Sequence, residues 1–164
     1  MRKRRWLGLV LAPLVAALVI LPATAAYANG WERAVSRWSG MCIDLHGNGE
    51  IARQWNCNGS SAQLFVRVNV GGGYVQLINQ RSGQCLGVSE GATWAGALIN
   101  QWDCVQGAVQ QWQIFDPGGN STGASWIVNR NSGMCIDNAW SVAQGGYLQQ
   151  LDCAYAWKQF WFVG

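Results

Sequence analysis

Six cysteines, eight carboxylates, a single histidine and many serines are the residues of this chain with the widest chemical reach. Thiols act as nucleophiles, bind zinc or close disulfides, and their spacing narrows the choice. No close C-x-x-C pair is present and His46 is the only imidazole, so a zinc site lacks its usual ligand spacing and no metal is expected. A serine nucleophile needs a base beside it, and the serine-rich turns have no histidine partner. Two carboxylates together can run acid–base hydrolysis. The only recurring ones are Asp44 with Asp137 and Asp103 with Asp152, and each pair occupies equivalent places in different repeats. Symmetry disperses such groups around the molecule, so neither a catalytic residue nor a cofactor is expected.

The repeats that place these residues come in three copies. "QWNC" at 54–57, "QWDC" at 101–104 and "QLDC" at 150–153 are each followed, six residues after the cysteine, by Gln63, Gln110 and Gln159. Two residues further stand Phe65, Trp112 and Trp161. Upstream lie "SGMCID" at 39–44, "SGQCLG" at 82–87 and "SGMCID" at 132–137. Only the gap between the two cysteines of a unit varies, which marks a solvent-facing loop; the fixed steps mark packed structure. Six cysteines permit 15 pairings. Equivalence of the units favours Cys42–Cys57, Cys85–Cys104 and Cys135–Cys153, each worth ~3 kcal/mol in the chain-entropy account.

Short segments such as "LFVRV", "YVQLIN", "ALINQW" and "WIVNRN" are rich in β-branched and aromatic residues and bounded by Gly, Ser and Asn. No helical stripe longer than two turns follows residue 28. Four strands per unit predict an all-β fold of about twelve short strands with threefold pseudosymmetry. One unit is too small to bury a core alone, so the three must share one. Ahead of the repeats, Arg2 to Arg5 form a basic head, Leu7 to Leu21 an apolar run, and Ala26-Tyr27-Ala28 an A-x-A ending. This is the grammar of a secretory signal peptide over 1–28, cleaved after Ala28. An uncleaved anchor is the alternative, but Pro13 interrupts a run already short for a span. No cysteine precedes Cys42, which argues against a lipid anchor. The product is a secreted, extracellular domain over 29–164, with repeats at about 31–70, 71–119 and 120–164 and no membrane span. Four of the eleven basic residues leave with the signal, so seven remain against eight acidic ones. That balance lacks the basic stripe a nucleic-acid partner requires.

Three Q-x-[WF] copies, each six residues after a cysteine and each preceded by S-G-x-C-[IL], make the chain from about 34 to 164 resemble the ricin-type lectin family. The resemblance implies a β-trefoil that ends with its third repeat, carries no catalytic domain, and binds glycans or polysaccharide, of galactose or xylose type, at one shallow site per repeat. In that family an Asp two residues after the first cysteine accepts hydrogen bonds from sugar hydroxyls. An aromatic two residues before the second cysteine covers the C–H face of the ring. The Gln of Q-x-W is largely scaffold, and its aromatic is core.

Carried over by position, repeat one has Asp44, Trp55 and Gln63, with Arg53 where a polar amide is usual. Repeat two has Asn100, Trp102 and Gln110, but Gly87 replaces the acid. Repeat three has Asp137, Gln149 and Gln159, with Leu151 in place of the aromatic. The Asn that the family favours before the Gln is Ala62, Val109 or Lys158 here. Repeat one is therefore the expected best site, repeat three the next and repeat two the weakest. Simpler roles stand beside these: Asp44 and Asp137 as turn caps, Trp55 and Trp102 as half-buried neighbours of a disulfide, Trp94 and Trp140 as loop anchors, and His46 as a solvated loop residue. The losses also admit a trefoil with degenerate sugar sites that serves as a protein-interaction or inhibitor module, with Trp94 and Trp140 at the interface.

Overall fold

The computed structural model describes residues 30–45, 51–115 and 125–153, and the backbone of 160–163. The proposed signal segment, His46, Lys158 and Gln159 lie outside the described residues. Repeat one supplies strands β1 (Arg33–Ser36), β2 (Cys42–Asp44), β3 (Arg53–Trp55) and β4 (Phe65–Gly71). Repeat two supplies β5 (Tyr74–Asn79), β6 (Cys85–Val88), β7 (Ile99–Trp102) and β8 (Trp112–Phe115). Repeat three supplies β9 (Trp126–Asn129), β10 (Cys135–Asp137), β11 (Gln149–Leu151) and β12 (Phe160–Val163). All pairings are antiparallel, and no α-helix occurs among the described residues. None of their helical turns is long and apolar enough to cross a membrane.

The first and last strands of the repeats run into one another: β4 pairs with β5, β8 with β9, and β12 with β1. The middle strands form three hairpins, β2–β3, β6–β7 and β10–β11. A cycle of backbone hydrogen bonds ties the hairpins together: Ala52 N–H donates to Ile99 O, Ile99 N–H to Leu148 O, and Leu148 N–H to Ala52 O, at 2.7, 3.0 and 2.9 Å. Around it lie the buried side chains Ile43, Leu86 and Ile136, one from each hairpin. Phe65, Leu77, Trp112 and Ile127 fill the strands that join the repeats. Trp112 is fully buried and its indole N–H donates to Leu86 O at 2.8 Å, so the largest core residue carries no unsatisfied donor.

The disulfides join Cys42 to Cys57, Cys85 to Cys104 and Cys135 to Cys153, one per repeat. Each pins the base of a hairpin to the segment leading to the next strand. The variable loops are less free than their length variation implies. Gln54, the first residue of "QWNC", donates through Nε2 to Ser141 O and Ala143 O in the loop of repeat three, and its Oε1 accepts from Ser39 Oγ. Gln150 does the same for repeat three, reaching Ala92 O and Trp94 O of repeat two and accepting from Ser132 Oγ. Gln101 accepts from Ser82 Oγ. Gln54 and Gln150 thus link the S-G turn of their own repeat to a loop of its neighbour, where a purely apolar residue would leave loop carbonyls unsatisfied.

Candidate functional site

Each hairpin brings its own candidate residues together, so the three sets are separated around the molecule. In repeat one, Asp44 is 3% exposed at the end of β2. Its Oδ2 accepts from Gln63 Nε2 at 2.8 Å. Gln63 is itself fixed: Oε1 accepts from the Asn58 N–H, and Nε2 also donates to Asn56 O. Trp55 stands opposite Cys42 in the pairing of β2 with β3, and Arg53 stands opposite Asp44. Alternation along β3 puts Arg53 and Trp55 on the same face as Asp44. The half-buried Trp55 ring leans toward the loop of repeat three, where a Cβ on Gly145 would lie 3.4 Å from it. The arrangement is an oriented carboxylate, a tryptophan and a cation on one face of one hairpin.

Repeat two is built differently at the equivalent places. Gly87 lies opposite Asn100. A Cβ on Gly87 would fall 2.3 Å from Trp102 Cη2 and 2.8 Å from Gln110 Cγ. The Trp102 ring therefore lies across the volume in which an aspartate would sit, an approach that only glycine allows. Without an acid to hold, Gln110 Nε2 donates to Trp102 O and Asp103 O, and Oε1 still accepts a backbone N–H, that of Val105. Outside the collapsed ring a cleft of about 770 Å³ opens, lined by Trp94, Asn100, Trp102, Ser89 and Glu90 among others. Asn100 Oδ1 and Ser89 Oγ are buried there without a hydrogen-bond partner, and Glu90 is exposed. Such polar atoms are costly to leave unpaired, which marks the cleft as able to take a polar occupant. Trp102 thus forms a wall of this cleft, lying over Gly87 where the family's acid would stand.

In repeat three, Asp137 lies opposite Gln149. Asp137 Oδ1 accepts from the Ala139 N–H at 2.7 Å, which is the turn-capping role that a short acid takes readily. The cap turns the chain into two left-handed residues, Ala139 (φ 54°) and Trp140 (φ 63°). Leu151 stands half-buried at the platform position. Trp94 and Trp140 are 62% and 70% exposed, so neither is buried as an anchor of its loop.

Three features escape a reading of motifs alone. The latch glutamines Gln54 and Gln150 need three dimensions to show which loop they reach. Asn79 and Asn129 cap the turns before the first cysteines, each accepting two backbone N–H groups through Oδ1. Their N-x-x-S-G spacing at 79–83 and 129–133 is a readable signal for this role. The third feature is the Arg53 guanidinium, 4.7 Å from the centre of the Tyr147 ring.

With this geometry in view, the model of the ricin-type β-trefoil lectin domain-like family matches residues 26–102 and, overlapping, 65–151. The chain belongs to the ricin-type β-trefoil lectin-like family. Among solved structures, a designed threefold-symmetric protein, ThreeFoil, aligns with this trefoil at a TM-score of 0.77 and 29% identity, over 83% of this chain and 99% of its own. An exo-β-1,3-galactanase from Clostridium thermocellum aligns at 0.73 and 32% identity over 80% of this chain, which covers 29% of that enzyme. The ricin B-like lectin of Macrolepiota procera, in complex with lactose, aligns at 0.70 over 80% of this chain and 92% of its own. At 18% identity that lectin shows the shared fold alone. No curated protein sequence matches the chain. The trefoil's neighbours thus include both a lectin and part of a glycosidase.

Proposed function

We propose that this trefoil is a secreted, non-catalytic, carbohydrate-binding module whose principal site is in repeat one. The observation that carries the reading is the Asp44 carboxylate, held through Oδ2 by Gln63 on the face of the hairpin that carries Trp55. A charged acceptor bonded to neighbouring hydroxyls is stronger than a neutral one, and an aromatic ring covers the apolar face of a sugar. Export rests on the charged head, apolar run and A-x-A ending of residues 1–28. Galactose-type ligands draw support from the lactose complex and the galactanase among the structural neighbours.

A shallow site of this kind binds at about the millimolar level, near −4 kcal/mol. A second usable site on the same body gains through effective concentration on a polymer. Repeat three has Leu151 in place of the platform aromatic, whereas the repeat-two cleft offers Asn100, Ser89 and Glu90 as acceptors. The Asp44→Ala variant is expected to lose most retention on galactose- or xylose-based resin, at least tenfold. Unchanged retention by a folded variant removes Asp44 from the site. A second reading, a module that binds protein through degenerate sugar sites, is favoured by the filled position at Gly87 and the exposed Trp94 and Trp140. A silent glycan array would select it.

A further inference from the structure

The three hairpins meet at three equivalent bridges: Ile51 with Asn100, Leu98 with Gln149, and Tyr147 with Arg53. The first two seams pair an aliphatic residue with a neutral amide. The third pairs an aromatic residue with a cation, and it borders the repeat-one site. Arg53 is exposed, its guanidinium lies 4.7 Å from the Tyr147 ring centre, and Nη2 is 3.4 Å from Tyr147 Oη.

We propose that repeat one reads a carboxylate-bearing sugar, a hexuronate, with Asp44 accepting ring hydroxyls and Arg53 binding the sugar carboxylate. This rests on the carbohydrate reading above and names the class of ligand for the same site. Directly opposite residues of an antiparallel pair have Cβ atoms about 5 Å apart, a separation on the scale of one pyranose ring. Asp44 and Arg53 stand in that relation, yet no ion pair joins them; the Tyr147 ring holds the guanidinium to the side of its own repeat's acid. Among the described residues no carboxylate pairs with Arg53. The other characterised arginines differ: Arg67 pairs with Glu32, and Arg130, which also lies over a tyrosine, donates to Gln111 Oε1. A planar guanidinium fork matches a carboxylate bidentately, and stacking on an aromatic face leaves the fork edge open for it. The domain over 29–164 has a charge near −1, so its overall field does not draw it to polyanions and any preference for one is local.

Affinity electrophoresis of the disulfide-intact protein tests this, using gels that contain polygalacturonate, its fully methyl-esterified form, neutral galactan or a sulfated galactan. Polygalacturonate is expected to bind about tenfold more tightly than its ester, which keeps the sugar and removes the charge. The Arg53→Gln variant is expected to bring that ratio to about one, and Tyr147→Ala to lower it by releasing the guanidinium. The milder Tyr147→Phe variant keeps the ring and most of the ratio. Equal binding of acid and ester by the wild type, or a ratio unmoved in Arg53→Gln, overturns the proposal. A sulfated galactan bound as tightly as polygalacturonate also overturns it, because charge alone is then being read. Binding of neutral galactan that Asp44→Ala abolishes, without any preference for the acid, leaves the carbohydrate reading standing while this one falls. No binding to any of the four polymers overturns both.

Discussion

Repeats one and two share a scaffold, and where the first carries Asp44 the second carries Gly87, with different surroundings. In repeat one, Gln63 divides its amide between Asp44 and a backbone carbonyl, and Trp55 leans toward the neighbouring loop. In repeat two, Gln110 turns the same donors to backbone carbonyls alone, those of Cys85, Trp102 and Asp103, and Trp102 lies down on Gly87. The glutamine's acceptor takes a backbone N–H five residues earlier in both. The scaffold role of this glutamine is thus independent of the acid, while the position of the tryptophan depends on it. The fold tolerates the change here, because the volume beside Gly87 is filled by an adjacent ring and the Gln110 amide keeps its partners.

The largest separation of the two repeats is expected from removing their glutamines. Gln63→Ala and Gln110→Ala should each cost about 1–3 kcal/mol of stability through the carbonyls and N–H groups left unpaired. Only Gln63→Ala should also weaken binding to galactan tenfold or more. Equal losses of binding would mean that the two repeats share one ligand site. A smaller effect is expected from Gly87→Asp. The new Cβ expels the Trp102 ring, costing about 1–3 kcal/mol of overpacking, and gives Gln110 an acid to hold. The emission of Trp102 should shift to the red, and an unchanged spectrum would show that the ring does not rest on Gly87. The smallest effect belongs to Trp102→Phe, with about 1 kcal/mol lost by urea unfolding from thinner packing over Gly87. Galactan retention should hold, and its loss would restore Trp102 to the role of sugar platform.

The strand number and the three disulfides were legible in the sequence because periodicity exposes them three times over. Trp112 could be assigned to the core for the same reason: its spacing from Cys104 recurs. The position of Trp102 could not be read, because it depends on a missing Cβ across a strand pair and not on anything local to "QWDC". Asp137 illustrates the opposite difficulty. Its motif, SGMCID, reads as a ligand-binding acid as readily as a turn cap, and the Ala139 N–H takes up one of its oxygens. For Trp94 and Trp140 the sequence admits two roles, loop anchor or exposed contact residue; the latch glutamines bind the backbone of those loops and leave the two rings exposed.

The seam where Tyr147 meets Arg53 also has a kinetic meaning. Gln54 reaches Ser141 and Ala143 across 87 and 89 residues, and Arg53 reaches Tyr147 across 94. Contacts so distant in sequence repay their loop-closure entropy only after most of the chain is in place. The wall that the third repeat gives to the site proposed in the first is therefore expected among the last structures to form. A chain still emerging from synthesis, or cut before its third repeat, holds Asp44 and Trp55 without the neighbour that flanks them. Ligand binding at this seam then reports that the ring has closed.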